Sequence, residues 1–504
     1  MIKYTITTII LFLISIMYAD AQPIQSVIGT EETSESNSIR IKLIHKIQHF
    51  NAKDTATYDI DINSPKSVNI HPSGRKFYVN SLEGCATVVY EMGTWKKLKV
   101  IHHEFNEQNH HLWAKPSGLF EFTHYDSSKR DLNTFNGKPV ESTFSHQGRY
   151  IWVPYYRRSF DLNAQHPSAL AVIDTRNDEI VRMFETGPIP KMVACSHDSR
   201  HLAVSHWGDN TVGIINIEGN SPELWHYEKL HVIDYKLKLN YSLTTPVNRD
   251  ANSGYVLRGT VFTPDDHYLL VGCMGGGGGI AVIDMQKEEY LGRVLGMRAN
   301  IRHLIIKEGW LYLSINAGGV VQRIRLEKFL SALPAMRNHK TQISGWEECA
   351  VLPGARTIEA SPSGRFIFSS CNMGSKLCVV DTRCMKMVAS ADIDSYPVGL
   401  DISKDGSTVI TTSQGRKNQG GGNAVNIFHI SYADPEPVID TNSEILEKEM
   451  DDSTTTISDS TSTDQDQNKS NSKSFFSLKK IVLGIGIIIL FFLFMFLISK
   501  KSKK

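Results

Sequence analysis

The chain has 504 residues, 41% hydrophobic and 21% charged, with a formal net charge of +1. That balance offers no basic footprint for nucleic acid, and none is expected as a partner. Seven cysteines, an odd number, show no paired metal spacing.

Residues 1–21 read as a secretory signal: Lys3 gives the charge, Ile9–Met17 the apolar stretch, and Ala19-Asp20-Ala21 a small-residue cleavage site. Residues 22–40 form a linker. Between 41 and 432 one short pattern recurs: an apolar run, a polar turn, then a second apolar run. The clearest copies are Ile70–Val79 (IHPSGRKFYV) and Ala360–Phe368 (ASPSGRFIF). Phe144–Val153 and Phe262–Val271 follow the same plan, and degenerate copies sit at Cys195–Val204, Ile305–Leu313 and Ile402–Ile410. A third run often follows, as at Ile280–Asp284. Pro, Ser, Asp and Gly serve the turns, and Val, Ile, Tyr and Phe serve the strands. Seven such units, each a meander of about four strands, predict an all-β, seven-bladed propeller. The early segment Ile41–Ile62 lacks a turn signature and is expected to supply the outer strand of the last blade, closing the ring.

The Ser-Pro-Ser-Gly-Arg type turns and the strand ends Val172–Thr175 and Val379–Thr382 resemble the YVTN/YncE-like β-propeller repeat family, over roughly residues 60–430. The resemblance implies a secreted or surface-anchored propeller. Similar propellers occur among lactonases, quinoprotein dehydrogenases and haem-binding nitrite reductases, so the fold alone does not assign a function.

Residues 433–478, rich in Ser, Thr and Asp, read as a flexible stalk. The apolar run Ile481–Ile498 gives a single membrane-spanning helix over 479–499, and the Lys-rich residues 500–504 a cytoplasmic tail. A cleaved C-terminal sorting signal is the alternative. The expected location is therefore the cell membrane, single-pass, with the propeller in the periplasm or at the cell surface.

Candidate chemistry gathers on the face opposite the Ser-Pro-Ser-Gly turns. Tyr155, Tyr156, Arg157 and Arg158 interleave aromatics with cations, which suits an anionic or sugar-like ligand. Gly275, Gly276, Gly277, Gly278 and Gly279 would let backbone amides approach a ligand or simply make a long hairpin loop. Gln419–Asn423 is a second glycine-rich run. Lys66, Lys191, Arg258, Arg302 and Arg356 each stand where an innermost strand begins, and Glu141 takes a comparable place in the second blade. In register, they would form a basic ring at the channel mouth that attracts carboxylate or phosphate. The alternative is that they cap strands and point to water. His166, His206 and His303 are candidate acid/base groups, with Glu141, for an enzyme of lactonase or cofactor-dependent oxidoreductase type. No nucleophile elbow, HExxH or paired CxxC is present, and no cofactor or metal is assigned. Cys371 and Cys378 flank one hairpin, as a disulfide or as two thiols. Asn240–Arg258 reads as a lid over the mouth.

The expected function is a binding or scaffold module for an anionic small molecule, a glycan or an envelope protein segment. The alternatives are the enzyme and a purely structural surface protein.

Overall fold

The computed structural model describes residues 25–120, 134–238, 252–416, 422–434 and 436. The expected signal, membrane span and tail lie outside these residues, as do all of the stalk but Ala433, Asp434 and Glu436. So do most of the second glycine run and residues 240–251 of the expected lid. Among the described residues no helix is long and apolar enough to cross a membrane.

Seven antiparallel sheets make seven blades. Blade 1 is Pro65–Ile70, Lys76–Ser81, Ala86–Glu91 and Lys97–His102. Blade 2 is Thr143–Ser145, Tyr150–Arg158, Ser168–Asp174 and Glu179–Thr186. Blade 3 runs Pro190–Cys195, His201–His206, Thr211–Asn216 and His226–Val232. Blade 4 runs Leu257–Phe262, Tyr268–Cys273, Ile280–Asp284 and Glu289–Leu295, and Lys340–Gln342 adds to its outer edge in parallel. Blade 5 is Ile301–Lys307, Trp310–Ile315, Val320–Arg325 and Glu347–Ala350. Blade 6 is Ala355–Ala360, Phe366–Cys371, Lys376–Asp381 and Lys386–Asp392. Blade 7 takes Pro397–Ile402, Thr408–Ser413 and Ala424–Tyr432 from the C-terminal side and Ile39–Gln48 from the N-terminal side.

That last pairing closes the ring as the sequence predicts, with Ile39 opposite Tyr432 and Gln48 opposite Ala424. The segment alternates as a half-buried strand must: Ile39, Ile41 and Leu43 are buried, while Arg40, Lys42 and Ile44 face out. Burying one such aliphatic side chain contributes roughly 1.5–3 kcal/mol. A buried ion pair, Lys46 Nζ to Asp394 at 2.9 Å, fastens the strand to the link before blade 7. Central strands are buried throughout, as in Ser168–Asp174, because neighbouring blades cover both faces.

The turns between first and second strands need a left-handed residue. Gly74, Gly364 and Gly406 supply it at φ 69–72°.

The inner strands carry one further regularity. Six of the seven have a β-bulge at their first residues, between Pro65 and Val68, Pro190 and Met192, Leu257 and Thr260, Ile301 and His303, Ala355 and Ile358, and Pro397 and Gly399. A bulge re-aims the side chain it contains. The bulged positions include Lys66, Lys191, Arg258, Arg302, Arg356 and, in blade 7, Val398.

Candidate functional site

Inner strands of all seven blades enclose an axial cavity of ≈ 280 Å³, with Ser67, Glu141, Met192, His303, Thr357 and Gly399 among its walls. At the end where these strands begin, the bulges bring the cations together. Lys66, Lys191, Arg258 and Arg356 are 3–6% exposed, and Arg302 is half-buried. Burial and mutual repulsion act together on the two lysines. The Lys66 ammonium is held well below its ordinary range by burial first, then by repulsion from Arg356, Lys191 and Arg258, with Glu141 opposing. Lys191 is lowered in the same way, by burial and then by Arg258, Arg356 and Arg302. Guanidinium groups do not give up their charge, so Arg258, Arg302 and Arg356 stay cationic.

Among the described residues one carboxylate meets this group. Glu141 Oε1 lies 3.7 Å from Arg258 Nη2, and both side chains are buried. Among the described residues no carboxylate comes within 4.0 Å of Lys66, Lys191 or Arg356. Arg356 Nε is buried without a hydrogen-bond partner.

Aromatic faces take part of the load. Lys191 Nζ lies 4.7 Å from the Tyr156 ring and 5.0 Å from Trp207, and the Arg258 guanidinium lies 5.3 Å from Trp207. Each such contact contributes roughly 0.5–2 kcal/mol. Tyr156 from a blade 2 strand, with Trp207 and Met274 from loops of blades 3 and 4, belongs to one small apolar cluster beside these cations.

Several expected site residues lie elsewhere. Tyr155 is not a stacking platform: it is fully buried, and its hydroxyl contacts His103 Nδ1 at 2.8 Å. Strand alternation explains this, since Tyr155 and Tyr156 occupy opposite faces of one strand. Arg157, expected to bind ligand from the Tyr155–Arg158 stretch, donates to the Ser159 carbonyl at 3.1 Å. Arg158 is buried over the Phe135 and Phe160 rings, where desolvation lowers it to about 10. His206 is buried against Thr211 Oγ1 at 2.8 Å and lowered to about 3 by desolvation. The backbone N–H of His166 donates to Asp161. His303 does line the channel, with Nδ1 3.1 Å from the Ile358 carbonyl, and burial lowers it to about 4.

The glycine loop packs rather than opens. Its carbonyls at Gly276 and Gly278 accept from Arg293, Gly275 donates to the Tyr255 carbonyl, and a Cβ at Gly276 would collide with the Tyr255 ring. Tyr255, in the described end of the expected lid, is buried and donates to Asp234 at 2.8 Å. Cys371 and Cys378 are free thiols whose sulfurs lie 3.5 Å apart.

Sequence reasoning missed the polar end of the same channel. Glu359 lines it beside Asp401. Burial, then the Asp401 charge, pushes Glu359 well up, and burial raises Asp401 to about 7 although it accepts the Ile70 N–H at 2.6 Å. Both occupy the fifth residue of an inner strand, a position visible once the repeats are aligned.

No family model and no curated protein matches the chain. Among solved structures it is similar to Kuenenia stuttgartiensis hydrazine synthase, at 12% identity over 73% of this chain and 95% of that one, with a TM-score of 0.48. It is also similar to the β-propeller domain of Cps50 (Swd1) from Myceliophteria thermophila, at 11% identity over 72% and 96%, with a TM-score of 0.48. The seven sheets and the charged channel define the class from the coordinates themselves: a seven-bladed propeller with a cation-crowded mouth.

Proposed function

We propose that this protein is a binding module of the YVTN/YncE-like kind, which holds the anionic end of a small molecule, glycan or protein segment at its channel mouth. The observation that carries the reading is the convergence of Lys66, Lys191, Arg258, Arg302 and Arg356 from five blades, with Glu141 the carboxylate paired to Arg258. Crowded, desolvated cations are costly alone and gain from an anion that replaces their lost water. Guanidinium forks favour carboxylate or phosphate. In this reading the signal segment and the C-terminal apolar run keep the propeller outside the cytoplasm and tethered to the membrane. Protease treatment of intact cells tests that placement: a propeller left uncut while a known surface protein is digested would move it to the periplasm or the cytoplasm, and fractionation would separate the two.

The direct test of the site is a thermal-shift and calorimetric series with phosphate, citrate and glucuronate. Binding by wild type that Arg356→Ala weakens at least tenfold supports it. A flat series for all three counts against a small-anion site and favours a structural surface protein. The enzyme reading keeps only His303 and Glu141, which share the channel walls; turnover of a lactone that stops in His303→Ala would favour it.

A further inference from the structure

A second cavity, of ≈ 360 Å³, lies where the closing strand Ile39–Gln48 and the following link meet blade 1. Its walls include His45, Tyr58, Asp59, Tyr90, Trp95 and Lys97. Its size falls within the range of small-molecule sites, about 300–1,000 Å³, and its make-up follows theirs: mostly flat or apolar walls with a few polar groups converging.

Trp95 is placed at a backbone cost. It sits at φ +62° at the end of the turn that follows the third strand, where its N–H donates to the Glu91 carbonyl at 3.0 Å. Blade 2 makes the same turn with Asp178, and blades 4 and 6 put Glu288 and Met385 at the matching left-handed place. A bulky aromatic is the least suited of these residues to that conformation. The indole that results lies nearly parallel to the His45 ring, 17° between planes and 6.1 Å between centroids. Ile60 stays 63% exposed at the edge of the cavity, although its apolar surface belongs to the wall.

The polar groups narrow the ligand. Asp59 is buried and accepts from Lys97 Nζ and the Tyr90 hydroxyl, each at 2.8 Å, and Lys97 also reaches Asp61 at 2.6 Å. Asp59 and Asp61 disfavour an anion. Lys97 already occupies the carboxylates that a cation would need. A hydrocarbon would strip water from the Lys97 ammonium without replacing it. A ring with a hydroxyl edge and C–H faces satisfies both parts: its hydroxyls accept from Lys97 and donate to the remaining Asp59 lone pairs, and its faces cover Trp95 and Tyr58.

We propose that this seam cavity is a second ligand site, which takes a neutral, hydroxylated ring of the pyranose class. It is independent of the anion site in the channel. The test is saturation-transfer NMR on the full-length chain, with glucose, galactose, mannose and N-acetylglucosamine as probes. Transfer to ring C–H protons is expected for at least one sugar. It should fall roughly tenfold in Trp95→Ala, the scale of one lost aromatic contact, and also fall in Lys97→Met. It should persist in Trp95→Phe and in the channel variant Arg356→Ala. Absence of transfer from all four sugars, or equal transfer in Trp95→Ala and wild type, overturns the proposal. If Trp95→Ala lowers the melting temperature sharply, Lys97→Met, altered only in a partly exposed side chain, decides.

Discussion

The two ends of the axial channel are built from the same seven inner strands and face the same problem, like charges held close together away from water. At the far end the crowded groups are carboxyls, Glu359 and Asp401. A carboxyl escapes crowding by keeping a proton, and the raised values of both groups show that solution at work. At the mouth the groups are two lysines and three arginines. The lysines are pushed toward losing a proton, but the arginines have no such exit. On the reading proposed above, an anion supplies the relief. One end answers its charge with retained protons, and the other, on the reading proposed above, with a ligand.

The sharpest way to break this comparison is at Arg356. Removing a desolvated guanidinium from an anion site costs about 1.5–3 kcal/mol, so Arg356→Ala should weaken citrate binding roughly tenfold to a hundredfold by titration calorimetry. Unchanged affinity would mean that the mouth is only a capped strand end.

At the carboxyl end the sign of the pH dependence is the test. Folding raises Asp401 from 3.8 to about 7, so the folded chain holds a proton that the unfolded chain has released. Its penalty therefore grows as pH rises from about 4 to about 7, and stability falls over that window. Asp401→Asn should raise the melting temperature at pH 8, by an amount equivalent to roughly 2 kcal/mol, and the gain should vanish near pH 4. A gain independent of pH would refute the account in which Asp401 keeps its proton.

Glu141→Gln sharpens the contrast from the other side. Without its carboxylate Arg258 has lost a counter-charge, so the ligand-free protein should melt lower, and saturating citrate should restore most of the difference. Binding should also take up protons, because an anion raises the depressed Lys66 and Lys191. Affinity should then fall as pH climbs toward the ordinary lysine range, and calorimetry in buffers of different ionisation enthalpy would show the proton uptake. The smallest effect is expected at Arg157, which bonds the Ser159 carbonyl away from the ring. Arg157→Ala should leave citrate affinity unchanged to within about 0.5 kcal/mol.

The fold was legible because each blade repeats its own punctuation, a left-handed Gly, Ser199 or Asp266 in the turn between two runs of strand formers. The same repetition made the cations legible: once the turns are aligned, Lys66, Lys191, Arg258, Arg302 and Arg356 fall at one place in five blades. What the sequence left unread depends on features that no single repeat contains. Tyr155 and Tyr156 look alike in the chain, and only the facing of their strand buries one and brings the other to Lys191. Trp207 looks like an ordinary loop residue until two cations from adjacent blades rest on its ring. The Glu359–Asp401 pair joins two blades, and the seam cavity joins the closing strand to blade 1. Periodicity in one blade does not announce either.

The ring closure also has a mechanical meaning. Ala424–Tyr432 is no edge strand: Thr408–Ser413 pairs with it on one side and Ile39–Gln48 on the other. Tension applied to the chain beyond Tyr432 therefore loads two hydrogen-bonded ladders at once, backed by the Lys46–Asp394 pair. The first strand of the propeller is thus a clasp under the last, and a pull from the C-terminal side must break both ladders before the ring opens.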